Sequence, residues 1–391
     1  MHVLMIPSFY PSAVTPLGGV FFRELAQALR DAGFRMGVVA PGQYSVLAFP
    51  RRFRHRSRMD FEDDGGIPTY SSYTCAWFPK IPYANTLSWL KYGMRLVERY
   101  LAEQGRPDLV HAHAVFQAGF LAERVKRRWG IPYVTTAHGS PVLEGRMPGW
   151  QIPMACRALA GAAARTAVSP ALGEAMERHI GAAARPWTWV PNMVAPRFFE
   201  TPLSARAKPA GPYRFLHVSL LEPIKALDDL LRAFAERFKG DAGVELRIGG
   251  DGLVRPALER LSARLGLGAQ VRFLGSLSRD GVVREMLAAD AFVLCSRCET
   301  FSLVLAEALA CGTPVISTAC GGPECIVHES NGLLVPPGDV GALGQAMVVM
   351  RGRRGTYDAE ALRRDCAARF GREAVVAQWR RIYEEVATRG T

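Results

Sequence analysis

Glu299, Glu307 and the predicted helix start between them could together bind a phosphate that is joined to sugars. Glu299 precedes an apolar segment that predicts a helix over 302–310, and Glu307 lies within that segment. The first N–H groups of a helix, here those of Ser302 and Leu303, lack intrahelical partners and can bind a phosphate. A glutamate carboxylate only accepts hydrogen bonds, so Glu307 could hold neighbouring hydroxyls of a ribose. The alternative is that Glu299 is merely favoured by the helix dipole and that Glu307 is a surface residue.

Other candidate residues follow predicted strands. Gly250, within IGGDG, permits close approach of the backbone to a ligand, and Lys225 could supply a point charge for a diphosphate. The alternative for Lys225 is a solvated lysine at a helix start. Gly18 and Gly19 precede the first predicted helix and could form a second anion-binding turn. His138, in TTAHG, lies at the end of a predicted strand and could contact a reacting sugar, although a single histidine at a strand end is more often structural.

Histidines and cysteines do not form a recognisable metal-binding motif. His111 and His113 have metal-ligand spacing but no third ligand, so we interpret both as structural. Cys295 and Cys298 form one isolated CxxC, for which small buried thiols are a better interpretation than a zinc or redox site. No Asp-x-Asp motif is present. We therefore expect no metal cofactor.

Length and hydrophobic patterning predict two α/β domains. A chain of 391 residues exceeds one ordinary domain, and a composition of 49% hydrophobic and 21% charged residues is typical of globular proteins. Predicted strands and helices alternate in both halves, which favours parallel sheets with ligands beyond the carboxyl ends of the strands. The polar segment 191–212 is the predicted linker. No apolar run is long enough to span a bilayer and MHVLMIPSFYP lacks signal-peptide features, so we expect a cytoplasmic location.

The positive charge is concentrated in the N-terminal half. The net charge is +12, and residues 1–195 hold 22 Lys and Arg against 13 Asp and Glu. A basic cluster could attract anionic lipid headgroups, and neighbouring aromatic residues favour a membrane surface over nucleic acid, for which no motif is present. We expect the loops in 43–82 to determine acceptor specificity. The basic cluster and its aromatic neighbours are Arg51, Arg52, Arg54, Arg56 and Arg58 with Phe49, Phe53, Phe61, Trp77 and Phe78.

Short motifs follow one another along nearly the whole chain. They are GGVFFRELAQAL, TTAHGS, AVSPAL, WVPNMV, EPIKALDDLLRAFA, IGGDG, CETFSLVLAEALACGTPVIS, CGGPECIV and NGLLVPPGD. In this order they resemble the GT-B glycosyltransferases of family GT4, which are retaining enzymes that use nucleotide-sugar donors. The resemblance implies two Rossmann-like, doubly wound domains facing a central cleft. Residues 1–191 would bind the acceptor and 192–371 the donor, with a C-terminal helix in 372–391 packing back on the first domain.

The resemblance also implies roles for individual residues. Glu299 would contact hydroxyls of the donor sugar, Glu307 the ribose, Lys225 the diphosphate and His138 the transferred sugar. The catalytic set would thus be His138, Glu299 and Lys225. The remaining donor-binding positions would be Gly18, Gly19, Gly250, Phe301, Ser302 and Leu303.

One position departs from the pattern of the family. Many members carry an arginine in a VGRLxPxK segment, whereas this chain reads VSLLEPIK with Leu220 at the arginine position. Either another cation, for which Arg297 is a candidate, works with Lys225, or the diphosphate is less strongly stabilised.

The expected activity is retaining, metal-independent transfer of a hexose from a UDP- or GDP-type nucleotide sugar. The acceptor would be a lipid-linked glycan or a polysaccharide of a bacterial cell envelope or exopolysaccharide, with peripheral contact to the inner membrane. Two alternatives remain at this stage. They are a sugar-nucleotide epimerase of the same fold and an inactive partner subunit that binds a nucleotide sugar.

Overall fold

A parallel sheet of buried strands forms the centre of each of two units in the computed structural model. The model describes residues 1–12, 18–45, 59–77, 81, 83–180, 186–206 and 211–389. The first unit comprises Met1–Val190 and Val376–Thr391, and the second comprises Pro191–Val375. Each unit has its own sheet and its own hydrophobic core.

The sheet of the first unit has the strand order β3-β4-β2-β1-β5-β6-β7-β8, and all pairs are parallel except β3 with β4. All six residues of its first strand, HVLMIP, are buried, as expected when helices cover a parallel sheet. The strands are β1 His2–Pro7, β2 Arg35–Ser45, β3 Met59–Asp63, β4 Pro68–Ala76, β5 Leu109–His113, β6 Tyr133–Ala137, β7 Ala164–Ala167 and β8 Thr188–Trp189. The helices are α1 Val20–Asp31, α2 Ala84–Gln104, α3 Ala118–Trp129, α4 Ser140–Leu143, α5 Ile152–Gly161 and α6 Pro170–Ile180, with a 3-10 turn at Gly149–Gln151.

The sheet of the second unit is parallel throughout the described chain, in the order β11-β10-β9-β12-β13-β14. The strands are β9 Tyr213–Val218, β10 Val244–Gly249, β11 Val271–Gly275, β12 Ala291–Leu294, β13 Val315–Thr318 and β14 Gly332–Val335. The helices are α7 Arg197–Glu200, α8 Leu227–Phe238, α9 Arg255–Leu265, α10 Arg279–Ala288, α11 Leu303–Ala310, α12 Val340–Gly352, α13 Ala359–Phe370 and α14 Arg372–Arg389. Short 3-10 turns lie at Leu203–Ala205, Pro223–Lys225, Gly268–Gln270 and Pro323–Cys325. These two Rossmann-like α/β units with parallel sheets confirm the predicted fold class.

The strand order reverses at one point in each sheet. In the first unit β1 lies between β2 and β5, and in the second β9 lies between β10 and β12. Connections leaving the two strands at such a point run in opposite directions, which opens a crevice at their carboxyl ends where ligands bind in this class of fold. The loops after β1, β5, β9 and β12 therefore hold the positions best placed for chemistry.

The prediction that 43–82 is mainly loop was wrong. Its described part contains the hairpin of β3 and β4, and β4 extends the parallel sheet by pairing with β2. Every residue of β3 is exposed, although its sequence MDFED alternates Met59 and Phe61 with acidic residues, a short strand signal that our loop prediction overlooked. Phe61 and Trp77 are 48% and 55% exposed. The basic cluster 51–58, Phe49 and Phe78 lie outside the described residues.

The C-terminal helix α14 contributes its residues from Val376 onwards to the first unit. Trp379 and Tyr383 are buried there, and the Tyr383 hydroxyl lies 2.7 Å from Nδ1 of His111. The His111 and Trp379 rings lie 4.3 Å apart. Within the described ranges, no helix is long and apolar enough to cross a membrane.

Replacing Tyr383 by Phe should lower the free energy of unfolding by about 1–3 kcal/mol, because it leaves a buried nitrogen of His111 without its partner. Chemical denaturation of both proteins would measure the change. The control is Tyr357→Phe, because the Tyr357 hydroxyl meets only the exposed Arg353, at 3.4 Å. Equal stabilities of the Tyr383→Phe and Tyr357→Phe proteins would contradict this assignment.

Candidate active site

The loop after β9 carries Lys225 and is packed tightly against the loop after β10. The N–H of Leu221 donates to the carbonyl of Asp251 at 3.0 Å. Gly250 has φ +120°, and a Cβ there would lie 1.8 Å from the carbonyl oxygen of Ser219, so only glycine fits. The glycine of IGGDG is thus required by the approach of two backbone segments, whether or not a ligand also approaches it.

The loop after β12 carries Glu299, whose backbone is held by the loop after β13. The N–H of Gly322 donates to the carbonyl of Glu299 at 2.7 Å, and Glu299 forms a parallel bridge with Gly321. A Cβ on Gly322 would lie 2.4 Å from the N atom of Phe301. The close packing of these loops fixes the direction in which the Glu299 side chain leaves the backbone.

The structure brings Lys225 and Glu299 together. The Lys225 ammonium donates to Oε1 of Glu299 at 2.7 Å, and the Ser296 hydroxyl donates to the same oxygen at 2.7 Å. The two side chains are 22% and 13% exposed, so the pair is shielded from water but still accessible. An anionic ligand at this point could replace the carboxylate as the partner of Lys225 and release Glu299 to accept other hydrogen bonds.

The helix start after Glu299 contains a strained and unsatisfied serine. Ser302 is the N-cap of α11 in the left-handed conformation, with φ 79° and ψ 65°. Its side chain is buried, and its hydroxyl has no hydrogen-bond partner. Leu303 and Val304, the first two residues of α11, are partly exposed. A hydroxyl at a helix N-terminus that makes no hydrogen bond within the protein is suited to bind an oxyanion.

The neighbouring Phe301 is a core residue. Its side chain is buried, and its ring lies 5.5 Å from that of Phe370 in an edge-on contact. The expectation that Phe301 belongs to a donor site can therefore hold only for its backbone.

Glu307 is buried, so the alternative that it is a surface residue is wrong. It is the fifth residue of α11, and its Oε1 accepts a hydrogen bond of 2.7 Å from Arg279. The Arg279 guanidinium also lies 4.8 Å from the centre of the Phe198 ring. The sequence did not reveal Arg279 as the partner of Glu307, because nothing in it shows that the start of α10 lies next to α11.

At position 220, near Lys225, this chain has a leucine where many members of the family have an arginine. Arg297 is the candidate for the missing positive charge. Leu220 is 68% exposed at the end of β9. Arg297 pairs with Asp229 of α8 at 2.6 Å, and its backbone N–H donates to Ile224. Arg297 is thus paired with a carboxylate, as Lys225 is, and it stays a candidate for the missing cation because an anion could replace its partner too.

In the first unit, the glycine turn and His138 are joined through α1. Gly19 has φ +77°, and a Cβ there would lie 2.5 Å from the carbonyl oxygen of Phe9. This turn starts α1, whose Phe21 and Phe22 rings lie 5.9 and 5.1 Å from the His138 ring. The glycine turn and His138 thus belong to the same cluster of packed residues in the first unit.

His138 contacts a second histidine. Its Nε2 lies 3.0 Å from Nδ1 of His113, which is the last residue of the neighbouring strand β5. Burial lowers the pKa of His138 to about 3 and lowers that of His113 well below its usual value. Both rings are therefore neutral near pH 7, and His138 is suited to hydrogen bonding rather than to binding an anion by charge. His111 is structural, because hydroxyls of Tyr383 and Thr136 each lie 2.7 Å from one of its nitrogens.

The cysteines are free thiols. Cys295 is buried and donates to the carbonyl of Lys225 at 3.1 Å, which helps to hold the β9 loop. Burial raises its pKa far above the usual value. Over the described ranges, no three side chains of His, Cys, Asp or Glu are grouped so that they could hold a metal ion.

Two protein-family models together match most of this chain. A model described as "Glycosyl transferase 4-like domain" matches residues 18–193, and one described as "Glycosyl transferases group 1" matches residues 212–351. The D-inositol 3-phosphate glycosyltransferase of Geodermatophilus obscurus is 31% identical over 312 residues, covering 73% of this chain and 69% of that protein. The chain belongs to the GT4-like glycosyltransferases.

Two further proteins match a larger part of this glycosyltransferase. A putative teichuronic acid biosynthesis glycosyltransferase of Bacillus subtilis, TuaC, is 28% identical over 89% of this chain and 88% of its own length. The structure of HepE from Anabaena in complex with UDP-glucose is 21% identical, with a TM-score of 0.73, and the match covers 99% of this chain and 100% of that one. The second similarity supports the GT-B fold.

Replacing Ser302 by Gly should stabilise this glycosyltransferase by about 1 kcal/mol. The change removes left-handed strain and a buried hydroxyl without a partner, which together outweigh the greater freedom of glycine in the unfolded chain. Denaturant unfolding would measure the difference.

The matched control is Ser278→Gly, at the N-cap of α10. Ser278 has an ordinary φ of −67°, and its hydroxyl accepts a hydrogen bond from the N–H of Gly281. That replacement should destabilise the protein by a few tenths of a kcal/mol. A loss of stability in both variants would show that the Ser302 conformation is not strained.

Proposed function

We propose that this glycosyltransferase is a retaining hexosyltransferase that uses a UDP- or GDP-type nucleotide sugar. Its acceptor would be a lipid-linked glycan or a polysaccharide of the bacterial cell envelope or exopolysaccharide. The observation that carries the proposal is the Lys225–Glu299 pair together with the unpartnered hydroxyl of Ser302 at the start of α11. These groups offer a cation, helix N–H groups and a hydroxyl for a diphosphate, and a carboxylate for sugar hydroxyls.

Binding of the donor would exchange partners at Lys225. The ammonium would move from Glu299 to a phosphate oxygen, and the Ser302 hydroxyl and the first N–H groups of α11 would bind the same diphosphate. Glu299, released from Lys225, would accept hydrogen bonds from hydroxyls of the donor sugar. The exchange keeps Lys225 paired with an anion both before and after the donor binds.

Glu307 would bind the ribose. Its buried carboxylate is held in place by Arg279, which limits the directions from which hydroxyls can donate to it. A carboxylate fixed in this way suits two neighbouring hydroxyls, because both donate and neither needs to accept.

Catalysis would depend on stabilising the departing nucleoside diphosphate. In a retaining transfer of this type the acceptor hydroxyl attacks from the face that the diphosphate leaves, and the leaving phosphate takes the proton of the acceptor. The transition state resembles an oxocarbenium ion, so positioning and stabilisation of the leaving-group charge supply most of the rate. We propose that Lys225 and the α11 N-terminus provide that stabilisation without a metal, and that His138 contacts the transferred sugar.

An acceptor at a membrane surface is supported by several features. The N-terminal half carries most of the excess positive charge, and Phe61 and Trp77 are exposed on the hairpin of β3 and β4. Anionic lipids attract such basic surfaces. The similarity to TuaC supports a cell-envelope polymer as the product. We propose cytoplasmic location with peripheral contact to the inner membrane, and no role for nucleic acid.

The second candidate is an inactive partner subunit that binds a nucleotide sugar, and one observation favours it. Leu220 places no cation beside Lys225, at a position where many members of the family carry an arginine. Binding would survive this loss better than catalysis, because the charge on the diphosphate grows as the sugar departs.

Thermal unfolding with UDP, GDP, ADP and CMP, and with their common sugar conjugates, would identify the donor. A ligand at about 100 times its dissociation constant adds about 2.7 kcal/mol to the free energy of unfolding. For a unit of this size, that raises the melting temperature by about 5–10 °C. We expect a uridine or guanosine diphosphate to give this shift. A response to CMP or ADP alone would contradict the donor class, and donor turnover with and without acceptor extracts would separate transferase from inactive partner.

Replacing Glu299 by Gln or Lys225 by Met should lower kcat about 100- to 1,000-fold, because each removes a charge that acts on the donor or its leaving group. Turnover of the nucleotide sugar would be measured with purified protein, and circular dichroism would verify the fold. The controls are Glu329→Gln and Lys239→Met, which change exposed residues of the same unit. Unchanged turnover in the Glu299→Gln and Lys225→Met proteins would exclude the assigned roles.

A further inference from the structure

The ends of β5 and β6 place two histidines side by side in the first unit. The parallel register pairs His113 with Thr136, so His138 extends just beyond β6 next to the last residue of β5. Nδ1 of His113 lies 3.0 Å from Nε2 of His138. The Phe22 ring lies 4.8 Å from the first imidazole and 5.1 Å from the second.

The backbone next to this pair is strained. Ala114, which follows His113, has φ 144°, a value that residues with a side chain rarely adopt. Such conformations are unfavourable and persist only where the surrounding structure enforces them. The position of the His113 ring is therefore determined by its surroundings rather than by the preference of its own segment.

The hydrogen bond between the two rings requires one donor and one acceptor. Burial disfavours the charged form of both, and two adjacent imidazolium ions would repel each other. With both rings neutral, each carries a single N–H, and the ring that donates determines the tautomer of the other. Either His113 donates from Nδ1, or His138 donates from Nε2.

The remaining nitrogen of His113 distinguishes these two arrangements. Its Nε2 is buried and has no hydrogen-bond partner. If His138 donated, this nitrogen would carry an unpaired N–H, whereas if His113 donates, it is a bare acceptor. Unpaired buried N–H groups are rarer in proteins than under-satisfied acceptors. Donation from His113 Nδ1 to His138 Nε2 is therefore the favoured arrangement.

We propose that His113 is a positioning residue that fixes His138 as the neutral tautomer protonated on Nδ1. His138 then has its Nε2 engaged as an acceptor and its Nδ1–H available to donate to a hydroxyl oxygen of the sugar. This second part rests on the proposed function. In this state His138 is a hydrogen-bond donor and not a general base, which leaves the acceptor proton to the departing phosphate.

The tautomer can be read directly by long-range proton–nitrogen NMR on the full chain labelled with nitrogen-15 histidine. The His138→Gln and His113→Asn proteins would assign the signals. We expect both His113 and His138 to be protonated on Nδ1 and bare on Nε2 at neutral pH. A His138 signal protonated on Nε2, or an imidazolium at either residue, would overturn the proposal. This readout does not depend on sugar transfer, so it stands even if the proposed function fails.

Two replacements of His113 test its effect on the reaction. In His113→Leu no donor faces Nε2 of His138, so kcat should fall by about tenfold or more, whereas in His113→Asn the side-chain amide can donate and should restore most of it. The shift of the melting temperature by the nucleotide should stay unchanged in both variants, because the diphosphate site lies in the second unit. Equal kcat values for His113→Leu and the wild type, with both folded, would refute the positioning role.

Discussion

A single ion pair, between Lys225 and Glu299, joins the two loops from which the proposed donor site is built. It connects the ends of β9 and β12, the neighbouring strands at which the order of the second sheet reverses. The pair is shielded enough for its electrostatic energy to exceed that of a surface pair, yet Lys225 remains accessible. Since Leu220 supplies no cation of its own, a phosphate bound here would rely more strongly on Lys225 and on the N-terminus of α11. The free protein therefore holds its main cation in place with the same carboxylate that the donor would displace.

Backbone strain is concentrated beside the candidate residues. Among the described residues, Ala114, Ala226 and Ser302 are three of the five non-glycine residues with positive φ. Ala114 follows His113, Ala226 follows Lys225, and Ser302 starts the helix after Glu299. A sequence optimised only for stability would place glycine at such positions. Beside the residues proposed to do chemistry, the backbone thus adopts conformations that its own residue types disfavour. Such conflicts are expected at functional sites.

The sequence was most informative where the pattern is local. Buried parallel strands are continuous apolar segments, so most strands of the two sheets could be predicted, whereas β3, β4 and β14 were missed. Contacts between distant segments could not, because the pairings of Arg279 with Glu307 and of Arg297 with Asp229 depend on how helices meet. The edge strand β3 is exposed throughout, and its apolar signal is short, since only Met59 and Phe61 alternate with acidic residues. His113 was interpreted as structural, and its partner beyond β6 could be found only from the register of the sheet.

The two groups of candidate residues differ in charge, and the difference matches the chemistry proposed for each. A diphosphate carries negative charge that grows as the sugar leaves, and it requires a cation such as Lys225. Hydroxyls of a sugar are neutral and need no cation, so a carboxylate such as that of Glu299 or a neutral ring such as that of His138 can bind them through hydrogen bonds. Burial keeps His113 and His138 uncharged at neutral pH, so this pair presents no positive charge and suits neutral hydroxyls better than a phosphate.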